Sequence, residues 1–151
     1  MKRFVVVLSL VLAVSACSDS DDSMGPGEIT IADLVGSWRA SSQVYTNKAN
    51  SSEVLDVIAA GGETRTTVLD HGGARTWVTF GTYSDEWDAQ LTVSGNTLMS
   101  DPVEASRERR IWTFSLDGNL LTLTDANSSF DFTLSEAAGV AATEVVVFVR
   151  Q

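Results

Sequence analysis

The feature that most constrains this chain is a series of short runs in which apolar and polar residues alternate, separated by turn sequences. A period of two places successive side chains on opposite faces, which is typical of β-strands with one buried face. In one such run Trp87, Leu91 and Val93 share a face, whereas Asp88 and Thr92 lie on the other. The pattern therefore predicts an all-β chain.

The turn sequences indicate how these strands connect. Glycine-containing turns at 70–73, 94–96 and 117–119 favour the positive φ values of tight hairpins. Parallel strands would need helical crossovers, and the one segment compatible with a helix, Ser52–Ala60, fits an extended connector equally well. The predicted strands are Gly36–Thr46, Gly62–Leu69, Ala74–Gly81, Glu86–Val93, Thr97–Ser100, Arg109–Leu116, Leu120–Thr124, Ser129–Leu134 and Thr143–Arg150.

One apolar face per strand is what a small closed barrel requires, and closure removes exposed strand edges. We therefore predict a small antiparallel up-and-down β-barrel of about eight strands over residues 29–151. Such a barrel is just wide enough for its own side chains or one small ligand. If it is open, we expect ligand contacts from the same-face residues of two middle strands, Trp87, Leu91, Val93, Trp112, Phe114 and Leu116.

The N-terminal residues resemble those of a bacterial lipoprotein precursor. A cationic start precedes the apolar run Phe4–Val14, which is too short to span a bilayer comfortably, and Val14-Ser15-Ala16-Cys17 is similar to a lipobox. The resemblance implies a signal peptide at 1–16 and a lipid on Cys17, the only cysteine. Residues 17–28 then form a flexible acidic tether. The alternative is an ordinary secretory signal followed by an unrelated cysteine.

The start of the first strand, Leu34-Val35-Gly36-Ser37-Trp38, resembles the opening motif of the lipocalins. It is most similar to short lipocalin-like domains of bacterial lipoproteins, in which Asn-Thr-Leu and Gly-Asn-x-Leu strand starts recur, as at Asn96-Thr97-Leu98. The resemblance implies that Gly36 turns the chain into the barrel, Trp38 plugs its closed end and Arg150 packs over that indole. The Thr-Asp-Tyr turn of vertebrate lipocalins is absent, and avidin-like barrels remain a neighbouring option.

Composition and isolated residues argue against several functions. Ten Lys and Arg against 20 Asp and Glu give a net charge of −10, which disfavours nucleic-acid binding. One histidine excludes a multi-histidine zinc site. That residue, His71, is predicted to be an exposed turn residue, and Glu86 and Asp88 to form an exposed polar face opposite Trp87. We therefore expect no catalytic residues, metal or cofactor.

These observations predict a monomeric, lipid-anchored protein of the cell envelope, in the outer membrane and facing the periplasm or the surface. Its barrel is expected to bind a small hydrophobic or amphipathic ligand without catalysis. The alternative is a structural or interaction lipoprotein whose barrel is filled. Arg107, Arg109 and Arg110 either steer an anionic ligand to the barrel mouth or form a solvated edge with rim ion pairs.

Overall fold

A single helical turn and nine strands make up the described part of the chain. The computed structural model describes residues 28–134 and 138–151, so the predicted signal peptide, Cys17 and almost all of the tether lie outside the described residues. No helix within the described ranges is long and apolar enough to cross a membrane. The elements are α1 (Ile31–Leu34), β1 (Gly36–Asn47), β2 (Val54–Asp56), β3 (Glu63–Val68), β4 (Gly73–Phe80), β5 (Tyr83–Ser94), β6 (Thr97–Pro102), β7 (Arg110–Asp117), β8 (Leu120–Phe130) and β9 (Val140–Arg150).

The strands form a closed antiparallel barrel. Their order is β2-β1-β3-β4-β5-β6-β7-β8-β9, and β1 also pairs with β9, which closes eight strands into a ring and leaves β2 as an extra strand. Each strand after β3 pairs with the next along the chain. The prediction of an all-β, up-and-down barrel of about eight strands is confirmed, and the architecture is compatible with a calycin-like fold.

The two ends of the barrel are built differently. At one end, called the closed end here, α1 leads into β1 through Gly36, whose φ of +133° lies in a region that favours glycine. Two-residue hairpin turns at 95–96 and 118–119 also lie at this end. At the opposite, open end two connections are longer, over 48–62, which contains β2, and over 103–109, whereas β4 and β5 are joined by a two-residue turn at 81–82.

The main core fills the closed end and the middle of the barrel. Leu34 of α1 and Trp38 of β1 are almost completely buried, with exposed fractions of 0% and 1%. Inward-facing residues of the strands pack around them. The further buried members are Ala40, Val68, Ala74, Leu91, Leu98, Phe114, Leu121, Leu123, Val146 and Phe148.

The segment Ser52–Ala60, which the sequence left open between helix and connector, contains the short strand β2. Asp56 fixes it in place, because its carboxylate accepts hydrogen bonds from the backbone N–H of Gln43 at 3.2 Å and of Ile58 at 2.9 Å. Burial opposes the charge, but these bonds and one from Ser42 hold the pKa of Asp56 below its usual value. The segment is therefore an extended connector tied to β1.

One predicted strand division is wrong. The sequence predicted separate strands at Leu120–Thr124 and Ser129–Leu134, whereas the structure has one strand from Leu120 to Phe130. The polar residues between them form a bulge, with a register shift between Asp125 and Ser128. The backbone N–H of Asn127 donates to Asp125 Oδ1 at 2.8 Å, which satisfies the bulge locally and lets the ladder continue.

Candidate functional site

A narrow chamber runs along the inside of the barrel, lined by inward-facing residues of all eight barrel strands and by α1. Its volume is about 80 Å³, against roughly 300–1,000 Å³ for pockets that enclose a drug-sized ligand. The chamber therefore has room for one end of such a ligand. The lining toward the closed end is apolar and includes Leu34, Trp38, Val68, Leu98, Leu121 and Phe148.

The floor of the chamber is sealed by Trp38 and Arg150. The Arg150 guanidinium carbon lies 4.3 Å from the centre of the Trp38 ring, as a cation–π contact requires. Trp38 Nε1 donates to the carbonyl of Leu34 at 2.7 Å, and Arg150 donates to the carbonyls of Val35 at 2.6 Å and Asp33 at 2.5 Å. These bonds satisfy carbonyls that the end of α1 leaves without helical partners. The pair predicted from the sequence thus meets at the closed end.

A wider vestibule of about 550 Å³ lies above the chamber at the open end. Five residues line both spaces, so the vestibule adjoins the chamber. They are Gln43, Val78, Trp87, Ser100 and Arg110.

A buried carboxylate, Glu144, organises the neck between the two spaces. Its exposed fraction is 1%. Its Oε1 accepts hydrogen bonds of 2.7 Å from Gln43 Nε2 and from the Tyr45 hydroxyl, and its Oε2 accepts from Ser128 Oγ at 3.3 Å and from Arg110 Nη2. Burial, together with the charge of Glu144, raises the pKa of Tyr45, which keeps that hydroxyl protonated and able to donate.

Arg110 is the cation that balances this carboxylate. Its Nη2 also donates to Asp125 Oδ2 at 2.7 Å, and its guanidinium carbon lies 4.9 Å from the centre of the Trp112 ring. Burial disfavours the charge, but Glu144 and Asp125 outweigh this cost and raise the pKa of Arg110 above its usual value. The neck therefore holds a permanently charged arginine between two carboxylates and an indole.

The indole of Trp112 is the one polar group at the neck that lacks a partner. Its Nε1 is buried, and among the described residues no acceptor lies within hydrogen-bond distance of it. Trp112 lines the chamber. Leaving a buried donor unpaired costs about 1–3 kcal/mol, so the unpaired Trp112 N–H lowers the stability of the neck relative to a fully paired arrangement.

An ion pair spans the rim of the vestibule. Arg107, in the loop between β6 and β7, donates to both carboxylate oxygens of Asp85 at 2.6 and 2.9 Å. These bonds hold the pKa of Asp85 below its usual range. The same guanidinium lies 4.9 Å from the centre of the Trp87 ring. This pair, called the rim clasp here, holds the 103–109 loop against β5.

The structure divides the six residues predicted to contact a ligand into two groups. Trp87, Leu91 and Trp112 line the chamber. The other three do not: Phe114 is buried in the main core, and Val93 and Leu116 pack against that core. The residues nearest the closed end pack in or against the main core, and ligand contact by Trp87, Leu91 and Trp112 stays a prediction.

The charged residues singled out in the sequence also separate by face. Arg109 forms an exposed ion pair with Asp101, whereas its neighbour Arg110 points into the barrel. Glu86 and Asp88 lie on the outer face, where Arg75 pairs with both.

His71 is exposed in the turn between β3 and β4, 3.3 Å from Asp70. No group of three or more His, Cys, Asp or Glu suited to a metal ion occurs in the part of the chain that the structure describes.

Sequence reasoning missed the buried polar network. No role was predicted for Glu144 or Gln43, and Arg110 was predicted either to steer an anionic ligand to the barrel mouth or to belong to a solvated edge. One signal was available for Glu144. It occupies the same face of β9 as Ala142, Val146 and Phe148, so the alternation rule places a carboxylate inside the barrel.

Comparisons with known proteins assign no family to this chain. No protein-family model matches the chain. No curated protein matches it either.

Proposed function

We propose that this protein is a lipid-anchored component of the bacterial cell envelope whose barrel binds a small hydrophobic or amphipathic ligand without catalysis. The apolar end of the ligand occupies the chamber and the remainder lies in the vestibule. The proposal places the protein in the outer membrane, as a monomer that needs no metal or cofactor.

The observation that carries the binding proposal is an apolar chamber inside the barrel that adjoins a wider vestibule at the open end. An eight-stranded barrel can be filled by its own side chains, whereas this barrel retains interior space. Concave, mostly apolar sites with a few polar groups are typical of small-molecule binding. Gln43, Ser100 and Arg110, which line both spaces, supply those polar groups.

The anchoring proposal depends on the sequence around Cys17. The described chain enters the barrel at the closed end, where Ile29 and Ile31 pack against the main core. An anchor at Cys17 would therefore attach to the closed end and leave the vestibule at the opposite end of the barrel. Several acyl chains hold a protein firmly at a membrane, whereas one holds it weakly.

The ligand proposal is tested with protein purified without detergent. Native mass spectrometry reports whether a small molecule is retained, and tryptophan fluorescence follows titration with fatty acids, isoprenoid alcohols and long-chain ketones. A ligand in the chamber should change the emission saturably, because Trp87 and Trp112 line it. Trp77→Phe is the matched control, since that indole lies on the outer face beside Arg65. No saturable change with any compound, and no retained molecule, would refute ligand binding.

The anchor is tested by replacing Cys17→Ser and fractionating cells fed labelled palmitate. The natural protein should carry the label and sediment with membranes, and the variant should do neither. A variant that remains membrane-bound and labelled would show that the lipid is not on Cys17.

A second candidate function is an interaction protein of the envelope. It is favoured by the distribution of exposed apolar side chains, since most of the large ones in the described residues lie toward the open end: Val54, Tyr83, Ile111, Leu134 and Val140. Cross-linking in intact cells distinguishes the two functions. A single recurrent protein partner, without any retained small molecule, would favour the interaction protein.

A further inference from the structure

We infer that the ligand joins a short apolar end of about five to eight carbon atoms to a bulky, uncharged polar head, as in an alkyl glycoside. Two alanines of the chamber wall, Ala74 and Ala89, set the length of the end that enters. This inference rests on the proposed binding function and deepens it, because it names the class of ligand and separates this site from one for a long fatty-acid chain.

The two spaces of the site differ greatly in size. The chamber has a volume of about 80 Å³ and the vestibule one of about 550 Å³. A water molecule needs roughly 10–15 Å³ of such space, and a methylene group is close to water in size, so the chamber takes about five to eight such groups. The larger part of the ligand therefore lies in the vestibule.

The chamber cannot lengthen toward the closed end, because packed side chains fill that end. Leu34 and Trp38 are 0% and 1% exposed. The Trp38 indole is also fixed by its hydrogen bond to the carbonyl of Leu34 and by the contact with Arg150. Forcing extra methylene groups into a packed core is unfavourable. The excess length of a longer apolar chain would therefore remain in the vestibule.

The chamber wall is lowest where two alanines meet. Ala74 of β4 and Ala89 of β5 are register partners, and both line the chamber. Trp87 and Leu91, two positions to either side of Ala89, line it as well, so the alternation of the strand points Ala89 inward. A larger side chain at either alanine would occupy volume that the ligand needs. The two alanines are therefore the residues that determine which chain length fits.

The vestibule is suited in size and lining to a polar head. Its volume falls within the roughly 300–1,000 Å³ that is typical of small-molecule pockets. Hydroxyl and amide side chains can donate and accept hydrogen bonds, as the hydroxyl groups of a sugar do. Those that line the vestibule include Tyr83, Ser100, Asn127, Ser128 and Ser129.

The arginines of the vestibule are already paired. Arg107 is bonded to Asp85 and Arg109 to Asp101. Arg110, at the neck, is bonded to two carboxylates. An anionic head would lose part of its hydration and meet no unpaired arginine in the lining, which is unfavourable. The head is therefore uncharged.

The length of the apolar end is tested with a series of alkyl glucosides, from butyl through hexyl, octyl and decyl to dodecyl. Calorimetry measures their binding to the natural protein, below their critical micelle concentrations. Affinity should rise about fourfold for each added methylene up to a chain of about eight carbons and should then level off. A rise that continues at the same slope through dodecyl glucoside would overturn the inference and leave ligand binding intact.

Two variants test whether the chamber wall sets this break. Ala89→Leu adds three carbon atoms inside the chamber, so the break should move to a chain shorter by about three carbons. Leu91→Ala should move it to a longer chain. Ala141→Leu is the matched control on an exposed position of β9 and should leave it unchanged. An unmoved break in either chamber variant would contradict the assignment, and the series on the natural protein decides if neither variant folds.

The head is tested with three probes that share one chain, octyl glucoside, octanol and octanoate. The sugar should raise affinity about tenfold over octanol, the gain expected for one or two additional hydrogen bonds. Octanoate should bind more weakly than octyl glucoside. Equal binding of octanol and octyl glucoside, or tighter binding of octanoate, would overturn the inference while ligand binding stands. If no probe binds saturably, the proposed function fails together with it.

Discussion

Each end of the barrel places an arginine over a tryptophan, and the two pairs differ in what the arginine and the indole bond to. At the closed end, Arg150 and the Trp38 indole both donate to backbone carbonyls around α1. At the neck, Arg110 is bonded to carboxylates, and the Trp112 indole has no acceptor among the described residues. The same contact thus completes a structural seal in one place and lies beside an unpaired buried donor in the other.

The difference teaches that an arginine–tryptophan contact does not by itself indicate function. The two pairs differ in whether their remaining hydrogen-bonding groups have partners. A cluster whose donors and acceptors are all paired stabilises the fold, whereas an unpaired buried donor gives up part of that stability. Four changes, from the largest expected effect to the smallest, test this distinction.

The largest effect is expected at the closed end. Trp38→Ala should lower the free energy of unfolding by about 3–5 kcal/mol, because it removes a buried indole that nothing nearby replaces. Trp112→Ala should cost less, since that indole already borders a cavity. Urea titration measures both. A loss below about 1 kcal/mol for Trp38→Ala would mean that the seal contributes little.

The next effect concerns the neck. Glu144→Gln should destabilise the fold by about 2–3 kcal/mol, because Arg110 loses one of its two carboxylates and remains largely buried. Asp88→Asn on the outer face is the matched control and should change stability little, since its pair with Arg75 is exposed. Equal losses in the two variants would show that the neck network is no more important than a surface pair.

The third effect depends on pH. The unfolded chain releases the Tyr45 proton near the ordinary pKa of 10.0, whereas the folded protein retains it because burial and Glu144 raise that pKa. The contribution of Tyr45 to stability should therefore be constant below that value and fall above it by up to about 1.4 kcal/mol per pH unit. Denaturation curves across this range measure the slope, which Tyr45→Phe should largely abolish. Tyr83→Phe should remove a smaller part, since burial and Asp85 raise the pKa of Tyr83 as well.

The smallest effect on stability is expected at the rim clasp. Arg107→Ala should cost less than about 1 kcal/mol, because the ion pair with Asp85 is partly exposed. Amide hydrogen exchange in residues 103–109 should nevertheless become faster, since that loop loses its link to β5. Unchanged exchange would indicate that backbone bonds alone, such as that from Val103 N–H to the Asp88 carbonyl, hold the loop.

The sequence predicted the architecture because the decisive information is local. The alternation of apolar and polar residues and the glycine-containing turns specify each hairpin. A series of such hairpins can close into a barrel in only a few arrangements. The Trp38–Arg150 contact was predicted from a family resemblance and from the need of the first and last strands to meet. The prediction of two separate strands in place of β8 was wrong because Asp125, Ala126 and Asn127 have the composition of a turn. Only the pairing with β9 on either side of these residues reveals that they form a bulge.

The chamber was less predictable, because its shape depends on distances between residues on different strands. Alternation identifies the inward face that Trp112 and Phe114 share, but it does not show that one borders a cavity and the other fills the core. Arg110 and Glu144 lie 34 positions apart, so no local pattern links them. The hydrogen-bond network at the neck therefore exists only because the strands close into a barrel.

The pairing of β1 with β9 also bears on how the chain is made. Ser41 Oγ donates to the carbonyl of Val147, 106 positions later, so β1 leaves the ribosome long before its partner exists. Until β9 arrives, one edge of β1 and one edge of β8 stay open to strands of other chains. Contacts of such long separation also slow folding. Synthesis therefore includes an interval in which unpaired strand edges of the nascent chain favour aggregation, and this interval ends when the ring closes.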